Sequence, residues 1–216
     1  MIDTIVFDLD GTLLNTLADL TDSVNFALRE MNYPERSQEE VRLAVGNSVD
    51  YLIEKTMPKV HTQQEHAHCK AIYEEHYQGN MQNKTAPYSG VYAMLKSVKE
   101  AGYKTAVVSN KGDAFTKELI EKLFGTYIQV AVGQTDDRAR KPAPDGVFFA
   151  LDLLKSDRLN AVYVGDSEVD VLTAKNAGIP CVGCLWGFRD RETLVNAGVT
   201  VMIEAPEELL KAIKAL

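Results

Sequence analysis

Short unbroken apolar runs alternate along the chain with longer segments whose apolar positions recur every three or four residues. From about Gly90 onward this rhythm is strand, helix, strand, helix. The spacing predicts a helix over 91–101 closed by Gly102, a buried strand over 105–108, and a helix over 113–124 that stops at Gly125. Residues 127–132 read as the next strand, and Pro142 and Pro144 mark a loop before a helix over 145–154. Strands over 161–164, 181–185 and 200–203 then alternate with helices over 169–177, 193–197 and 206–216. Strands this apolar, separated by helices, predict an α/β fold whose parallel sheet is covered on both faces.

Before Gly90 the pattern changes. After the apolar run Thr4-Ile5-Val6-Phe7, residues Leu17, Leu20, Val24, Leu28 and Met31 fall at helical spacing, and Thr16-x-x-Asp19 is placed to cap that helix. Ser37-x-x-Glu40 and Thr62-x-x-Glu65 are two further capping boxes, the second opening a long helix through about Gln78. Gly46 and Pro58 punctuate the segment. Residues 15–86 are therefore expected to form an all-helical unit inserted after the first strand, with 80–87 as the return linker. Residues 1–14 and 87–216 would carry the sheet.

Composition narrows the function. The 216 residues are 45% hydrophobic and 25% charged, which suits one core plus an insertion. A formal charge of −8 and a pI near 5.1 argue against a nucleic-acid backbone or an anionic membrane as partner. An anionic substrate would need local help from a metal, a lysine or backbone N–H groups. No stretch approaches the ~18 apolar residues of a membrane span. Three cysteines, Cys69, Cys181 and Cys184, make no disulfide framework, so a reducing, cytoplasmic setting is expected.

The candidate chemistry sits at strand ends. Asp8 and Asp10 follow the first apolar run and precede Gly11. Like charges so close raise each other's cost of ionisation, and a hard divalent cation such as Mg²⁺ relieves it. Ser109-Asn110-Lys111, Lys141-Pro142 and Gly165-Asp166-Ser167-Glu168-Val169-Asp170 occupy the loops after other strands. Ligands of open α/β sheets bind outside the carboxyl ends of the strands, so the four groups should converge. Each alone has a blander reading: turn acids, loop punctuation, a solvated lysine, a helix N-cap. Their joint placement outweighs those readings. Asp8 is then the nucleophile that attacks phosphorus, and Asp10 the general acid and base. Ser109 and the backbone around Asn110 offer donors to the phosphoryl oxygens, and Lys141 offers fixed positive charge. Asp166, with Asp170 behind it, completes an acidic cup for Mg²⁺ beside Asp8 and the Asp10 carbonyl, while Thr12 is expected to hydrogen-bond within its own turn.

These stretches resemble the four motifs of the haloacid dehalogenase-like superfamily, in the family's order and across nearly the whole chain. The resemblance implies a Rossmann-like core with an α-helical cap over 15–86 and Mg²⁺-dependent phosphatase chemistry with the roles above. Dehalogenase members lack the second aspartate at the Asp10 position, which favours the phosphatase branch. Among phosphatases the chain is most similar to phosphoglycolate phosphatases, through Ala44-Val-Gly46-Asn47, Lys141-Pro-Ala-Pro-Asp145 and Leu185-Trp186-Gly187-Phe188-Arg189. Those stretches also occur in pyrophosphatases and sugar-phosphate phosphatases, and a sugar-phosphate mutase would keep the same acids but return the phosphoryl group to its substrate, so the expected substrate is a small phosphorylated metabolite. A phospho-acceptor signalling domain is the competing class; its acceptor lies on a middle strand and no helical cap is inserted.

Other signals carry less. Cys181-x-x-Cys184 lies in an apolar strand rather than at a helix start, which reads as burial instead of redox chemistry. All four histidines (His61, His66, His68, His76) fall in the helical segment, and His66, Cys69 and His76 could share a helix face as a metal site or simply as a surface stripe. Arg42, Asn47, Ser48 and Lys55 are the candidates there for reaching a substrate's far end. Trp186 and Phe188 are expected to cover the sheet edge or a loop.

Overall fold

The computed structural model describes all 216 residues. The chain runs through β1 (Thr4–Phe7), β2 (Leu14–Asn15), four helices α1 (Leu17–Glu30), α2 (Gln38–Ala44), α3 (Val49–Thr56) and α4 (Gln63–Asn80), and then β3 (Ala86–Pro87). There follow α5 (Val91–Glu100), β4 (Lys104–Gly112), α6 (Asp113–Phe124), β5 (Val130–Gln134) and α7 (Asp145–Leu153). The last part holds β6 (Ala161–Gly165), α8 (Glu168–Ala177), β7 (Cys181–Cys184), α9 (Arg191–Ala197), β8 (Val201–Ile203) and α10 (Leu209–Ile213). Two compact units result, Met1–Leu14 with Pro87–Leu216, and Asn15–Ala86. No helix is long and apolar enough to cross a membrane.

The first unit is a six-stranded sheet in the order β5-β4-β1-β6-β7-β8, parallel throughout. It is the α/β parallel sheet that the apolar strands predict and the Rossmann-like core that the resemblance implies. Ile5, Val6 and Phe7 of β1 are fully buried, as are Ala106, Val107, Val162 and Tyr163 on its neighbours. Strand order reverses at β1, which places a crevice at its carboxyl end between β4 and β6. β4 is longer than its apolar core suggests. Val108 pairs with Val132 and Gly112 with Gln134, so four steps along β4 match two along β5. This bulge takes Ser109, Asn110 and Lys111 off the regular ladder and re-aims their side chains.

Two boundaries differ from expectation for local reasons. The strand expected from residue 127 begins at Val130, because the N–H groups of Tyr127 and Ile128 bond back to Phe124 O at 2.7 and 2.9 Å and close the turn after α6. Residues 206–216 form a 3₁₀ turn and only a short helix, Leu209–Ile213.

The second unit is all-helical. α1 packs against α2 and α4, and α3 against α2 and α4, around Val24, Leu28, Val41, Ile53, Tyr73 and Tyr77. Ser37/Glu40 and Thr62/Glu65 form both bonds of their capping boxes. The Thr16/Asp19 cap does not form, and Thr16 makes no side-chain cap bond. Asp19 is buried and accepts instead from Lys84 N at 3.0 Å and Thr85 N at 2.8 Å, so its carboxylate clamps the returning chain.

Candidate active site

β1 hands its carboxyl end directly to the site. Phe7 pairs with Val107 on one side and Val164 on the other, and Asp8 N donates to Val164 O at 2.8 Å. Gly11 then turns the chain with φ +90, and the N–H groups of Leu13 and Leu14 return to Leu9 O at 3.0 Å. Only glycine takes that conformation without strain, and a Cβ there would also strike the Asp166 carboxylate.

Asp8 is buried, and its Oδ1 meets the Lys141 ammonium at 2.8 Å. Lys141 also donates to Asp170 Oδ1 at 2.7 Å and to the Tyr163 hydroxyl at 3.0 Å. An ammonium has three hydrogens, and three acceptors surround it. Burial pushes the Asp8 carboxyl well above the ordinary carboxylate value; Asp170 adds to that and Lys141 opposes it. Burial works against the Lys141 charge as well, but Asp170 and Asp8 outweigh it and hold the ammonium well above the usual lysine value.

Asp166 follows β6 and is held by two donors: Thr12 Oγ1 at 3.0 Å on Oδ1 and Phe188 N at 2.7 Å on Oδ2. Thr12 thus bonds across to Asp166 rather than within its own turn. Burial and Asp170 push the Asp166 carboxyl up to about 7, against the lowering effect of these donors. Asp170 spends Oδ2 on Ser167 N and Oγ, at 3.0 and 2.6 Å, in the capping box of α8. Ligand oxygens of Asp8, Asp166 and Asp170 lie within 4.8 Å of one another, a cluster able to hold a cation.

The Asp10 carboxylate points elsewhere. Its Oδ2 meets Lys111 Nζ at 3.0 Å, and its buried Oδ1 has no hydrogen-bond partner. Ser109 Oγ accepts from Lys111 N at 3.2 Å. Asn110 spans the Lys141 peptide, accepting from its N–H at 2.8 Å and donating to its carbonyl at 3.1 Å. Its side chain therefore places Lys141. Asp8 and Asp170 share Lys141 and Asp10 has Lys111, whereas Asp166 is held by neutral donors with the Arg189 charge acting on it through space. Acidic groups thus outnumber the lysines they pair with, as a cation site requires.

Sequence reasoning misses several members of this constellation. Lys111 stands out there only as the neighbour of Ser109-Asn110, although its spacing of two from Ser109 is a usable signal. Tyr163 sits in a run that reads as plain buried strand; a buried phenol needing a partner is the clue. Phe188 contributes a backbone N–H, which no side-chain pattern reveals. Trp186 Nε1 donates to Thr12 O at 2.9 Å, so the loop after β7 braces the turn after β1.

The candidates in the helical unit have local partners. Arg42 pairs with Glu39 at 2.6 Å, Ser48 caps α3 through Tyr51 N, and Lys55 lies 5.2 Å over the Tyr51 ring. Asn47 is half-buried. His66 and His76 diverge from Cys69: His66 Nε2 bonds with Asp50 O at 3.1 Å, and His76 bonds with Ser23 Oγ at 3.0 Å and stacks on Phe26. Burial pushes the Cys69 thiol up to about 11, far from a ready ligand. Cys181 and Cys184 are free, and burial raises both thiols.

The chain is similar to known proteins over most of its length. The family model described as haloacid dehalogenase-like hydrolase matches residues 5–184. A phosphoglycolate phosphatase of Mesorhizobium japonicum is 33% identical over 223 residues, covering 96% of both chains. One from Aquifex aeolicus is 31% identical, covering 85% of both. A crystal structure from Lactobacillus delbrueckii subsp. bulgaricus superposes with a TM-score of 0.93 at 30% identity, covering 98% of each chain.

Proposed function

The chain belongs to the haloacid dehalogenase-like hydrolases and is a phosphoric monoester hydrolase among them, and on that footing we propose a Mg²⁺-dependent phosphatase that works through a phospho-Asp8 intermediate. The observation that carries this reading is the placement of Asp8 at the end of the central strand, against Lys141 and within the Asp166/Asp170 cluster.

Lys141 opposes the effect of burial on the Asp8 carboxyl and fixes one of its oxygens, leaving the other to attack phosphorus. Asp10 stands two residues on, with an unbonded buried oxygen suited to give a proton to the departing ester oxygen and later to take one from water. Ser109, at the bulge of β4, and the N–H groups beside it receive the phosphoryl oxygens. Asp8, Asp166 and the Asp10 carbonyl would hold Mg²⁺, an oxygen donor set that suits a hard divalent cation. When bound, the ion supplies charge neutralisation and polarises the phosphoryl group.

The substrate in this reading is a small phosphate monoester of the phosphoglycolate type, in line with the names of the relatives. Residues 1–14 and 87–216 are the catalytic core and 15–86 the cap that selects the substrate. The test is phosphate release by the purified protein from a panel of phosphoglycolate, pyrophosphate, sugar phosphates and nucleotides, with Mg²⁺ or with EDTA. Activity should need Mg²⁺, prefer phosphoglycolate, and vanish in Asp8→Asn. Turnover that survives in Asp8→Asn would refute the nucleophile, and preference for pyrophosphate would refute the substrate class.

A further inference from the structure

Lys111 is a lysine in an unusual place: its side chain is 5% exposed and lies against the Asp10 carboxylate, itself 14% exposed. Its backbone is held on both sides, by Ser109 Oγ on its N–H and by Thr116 Oγ1 donating to its carbonyl at 3.2 Å. The bulge between Val108 and Gly112 is what brings it there, since a regular ladder would carry the strand two residues further along β5. A buried ion pair is a poor source of stability, because desolvating two charges offsets most of their attraction. What it does supply is orientation. The pair is lopsided: Oδ2 of Asp10 carries the ammonium contact at 3.0 Å, whereas Oδ1 is buried with no hydrogen-bond partner. A buried, unsatisfied carboxylate oxygen is costly to keep and calls for a use.

We infer that Lys111 is the positioning residue of Asp10, anchoring Oδ2 so that Oδ1 is the oxygen that exchanges protons with the ester and with water. The inference rests on the acid–base role of Asp10 proposed above. In the first step Asp8 forms a bond to phosphorus, the bond from phosphorus to the ester oxygen breaks, and that oxygen takes the proton from Asp10 Oδ1. In the second, water forms a bond to phosphorus and gives a proton to Oδ1 as the Asp8–phosphorus bond breaks. Inorganic phosphate leaves, Asp8 is a carboxylate again, and Asp10 is again protonated. Lys111 keeps its own protons throughout and acts only by holding Oδ2. Without it the carboxylate could rotate about its Cβ–Cγ bond and offer either oxygen.

The experiment compares two esters that differ in their need for a proton. A nitrophenyl phosphate leaves as a stable phenolate, whereas an alkyl phosphate such as glycerol phosphate leaves as a strong base and depends on the acid. kcat/KM is measured for both, with Mg²⁺, in wild type, Lys111→Met, Lys111→Arg, Asp10→Asn and the Lys111→Met/Asp10→Asn double variant. Lys111→Met should lower kcat/KM on the order of 10²-fold for the alkyl ester and only a few-fold for the aryl ester, since general acid catalysis is worth about that much. Lys111→Arg should recover most of the loss, and the double variant should be no slower than Asp10→Asn. Equal losses on both esters, or additive losses in the double variant, would make Lys111 a structural or phosphate-binding lysine and overturn the inference. Those outcomes leave phospho-Asp8 catalysis standing, because it is judged separately by Mg²⁺-dependent turnover and by its loss in Asp8→Asn. A wild-type protein that hydrolyses neither these esters nor phosphoglycolate would overturn both.

Discussion

The Tyr163 hydroxyl accepts a hydrogen from the Lys141 ammonium at 3.0 Å and donates its own to Val108 O at 3.0 Å. The phenol lies fully buried in β6, one strand from β1, and ties the lysine to the backbone of β4. The Lys141 ammonium is thereby held by three acceptors, Tyr163, Asp8 and Asp170.

Tyr163→Phe keeps the packing and removes both hydrogen bonds. It withdraws a buried donor from Val108 O and an acceptor from the Lys141 ammonium, so stability should fall by about 1–3 kcal/mol. With one of its three partners gone, Lys141 should hold Asp8 less tightly, and kcat should fall several-fold with KM nearly unchanged. Chemical denaturation and steady-state kinetics on the same preparation check both parts; unchanged kcat would remove Tyr163 from the support of the site.

Lys141→Met leaves the Asp8 and Asp170 carboxylates buried without their shared cation. Breaking a buried pair by deleting one partner costs about 3–5 kcal/mol. Protonation is the remaining way to relieve that charge, so the deficit relative to wild type should shrink as pH falls. Thermal denaturation of the two proteins in EDTA at several pH values measures it, and a deficit independent of pH would mean that the carboxylates do not drive the loss.

The pH dependence of the metal-free protein follows from Asp166. Its carboxyl is raised by burial from 3.8 to about 7, so between those values the folded chain keeps a proton that the unfolded chain has released. The stabilisation is fully present below 3.8 and is lost as pH rises through about 7. Asp8, raised by burial in the same sense, reinforces the trend. Unfolding free energy in EDTA should therefore decline between about pH 4 and 7, with a shallower slope in Asp166→Asn. Added Mg²⁺ should stabilise the protein progressively more over the same interval, since the cation competes with the proton. Equal slopes in the two proteins would contradict the assignment.

Gly187→Ala tests the loop after β7. A Cβ there would collide with Asp166, with Cγ at 2.6 Å, and would come within 2.5 Å of Gly11 O. Neither neighbour can move without disturbing the other. Displacing Asp166 should raise the Mg²⁺ concentration for half-maximal activity by about 10–100-fold, the usual effect of disturbing the support of a ligand. An unchanged Mg²⁺ requirement would show that Asp166 does not hold the ion.

Much of this molecule is legible in local pattern. Apolar runs and helical spacing set out the strands of a parallel sheet and an inserted run of helices, because burial imposes the same periods wherever such elements occur. Ser37/Glu40 and Thr62/Glu65 are legible for a similar reason: a capping box is closed within four residues. Thr16-x-x-Asp19 has the same local form, yet the Asp19 carboxylate answers to Lys84 and Thr85, some sixty-five residues away in sequence. Once burial lets a distant backbone compete for an acceptor, local spacing no longer chooses the partner.

The site divides along the same line. That Asp8, Asp10, Ser109, Lys141 and Asp166 follow the apolar strand cores is written in the order of residue types, although β4 runs on through Ser109 to Gly112. Who faces whom depends on the register of β1 between β4 and β6 and on the bulge that swings Ser109, Asn110 and Lys111 out of the ladder. Those features assign Lys141 to Asp8 and Asp170, Lys111 to Asp10, Asn110 to the Lys141 peptide, and Thr12 with Phe188 to Asp166. Every one of these pairs joins residues more than twenty positions apart along the chain. Ion pairs and hydrogen bonds form over about 3 Å, so their partners are settled by folded proximity and burial rather than by spacing.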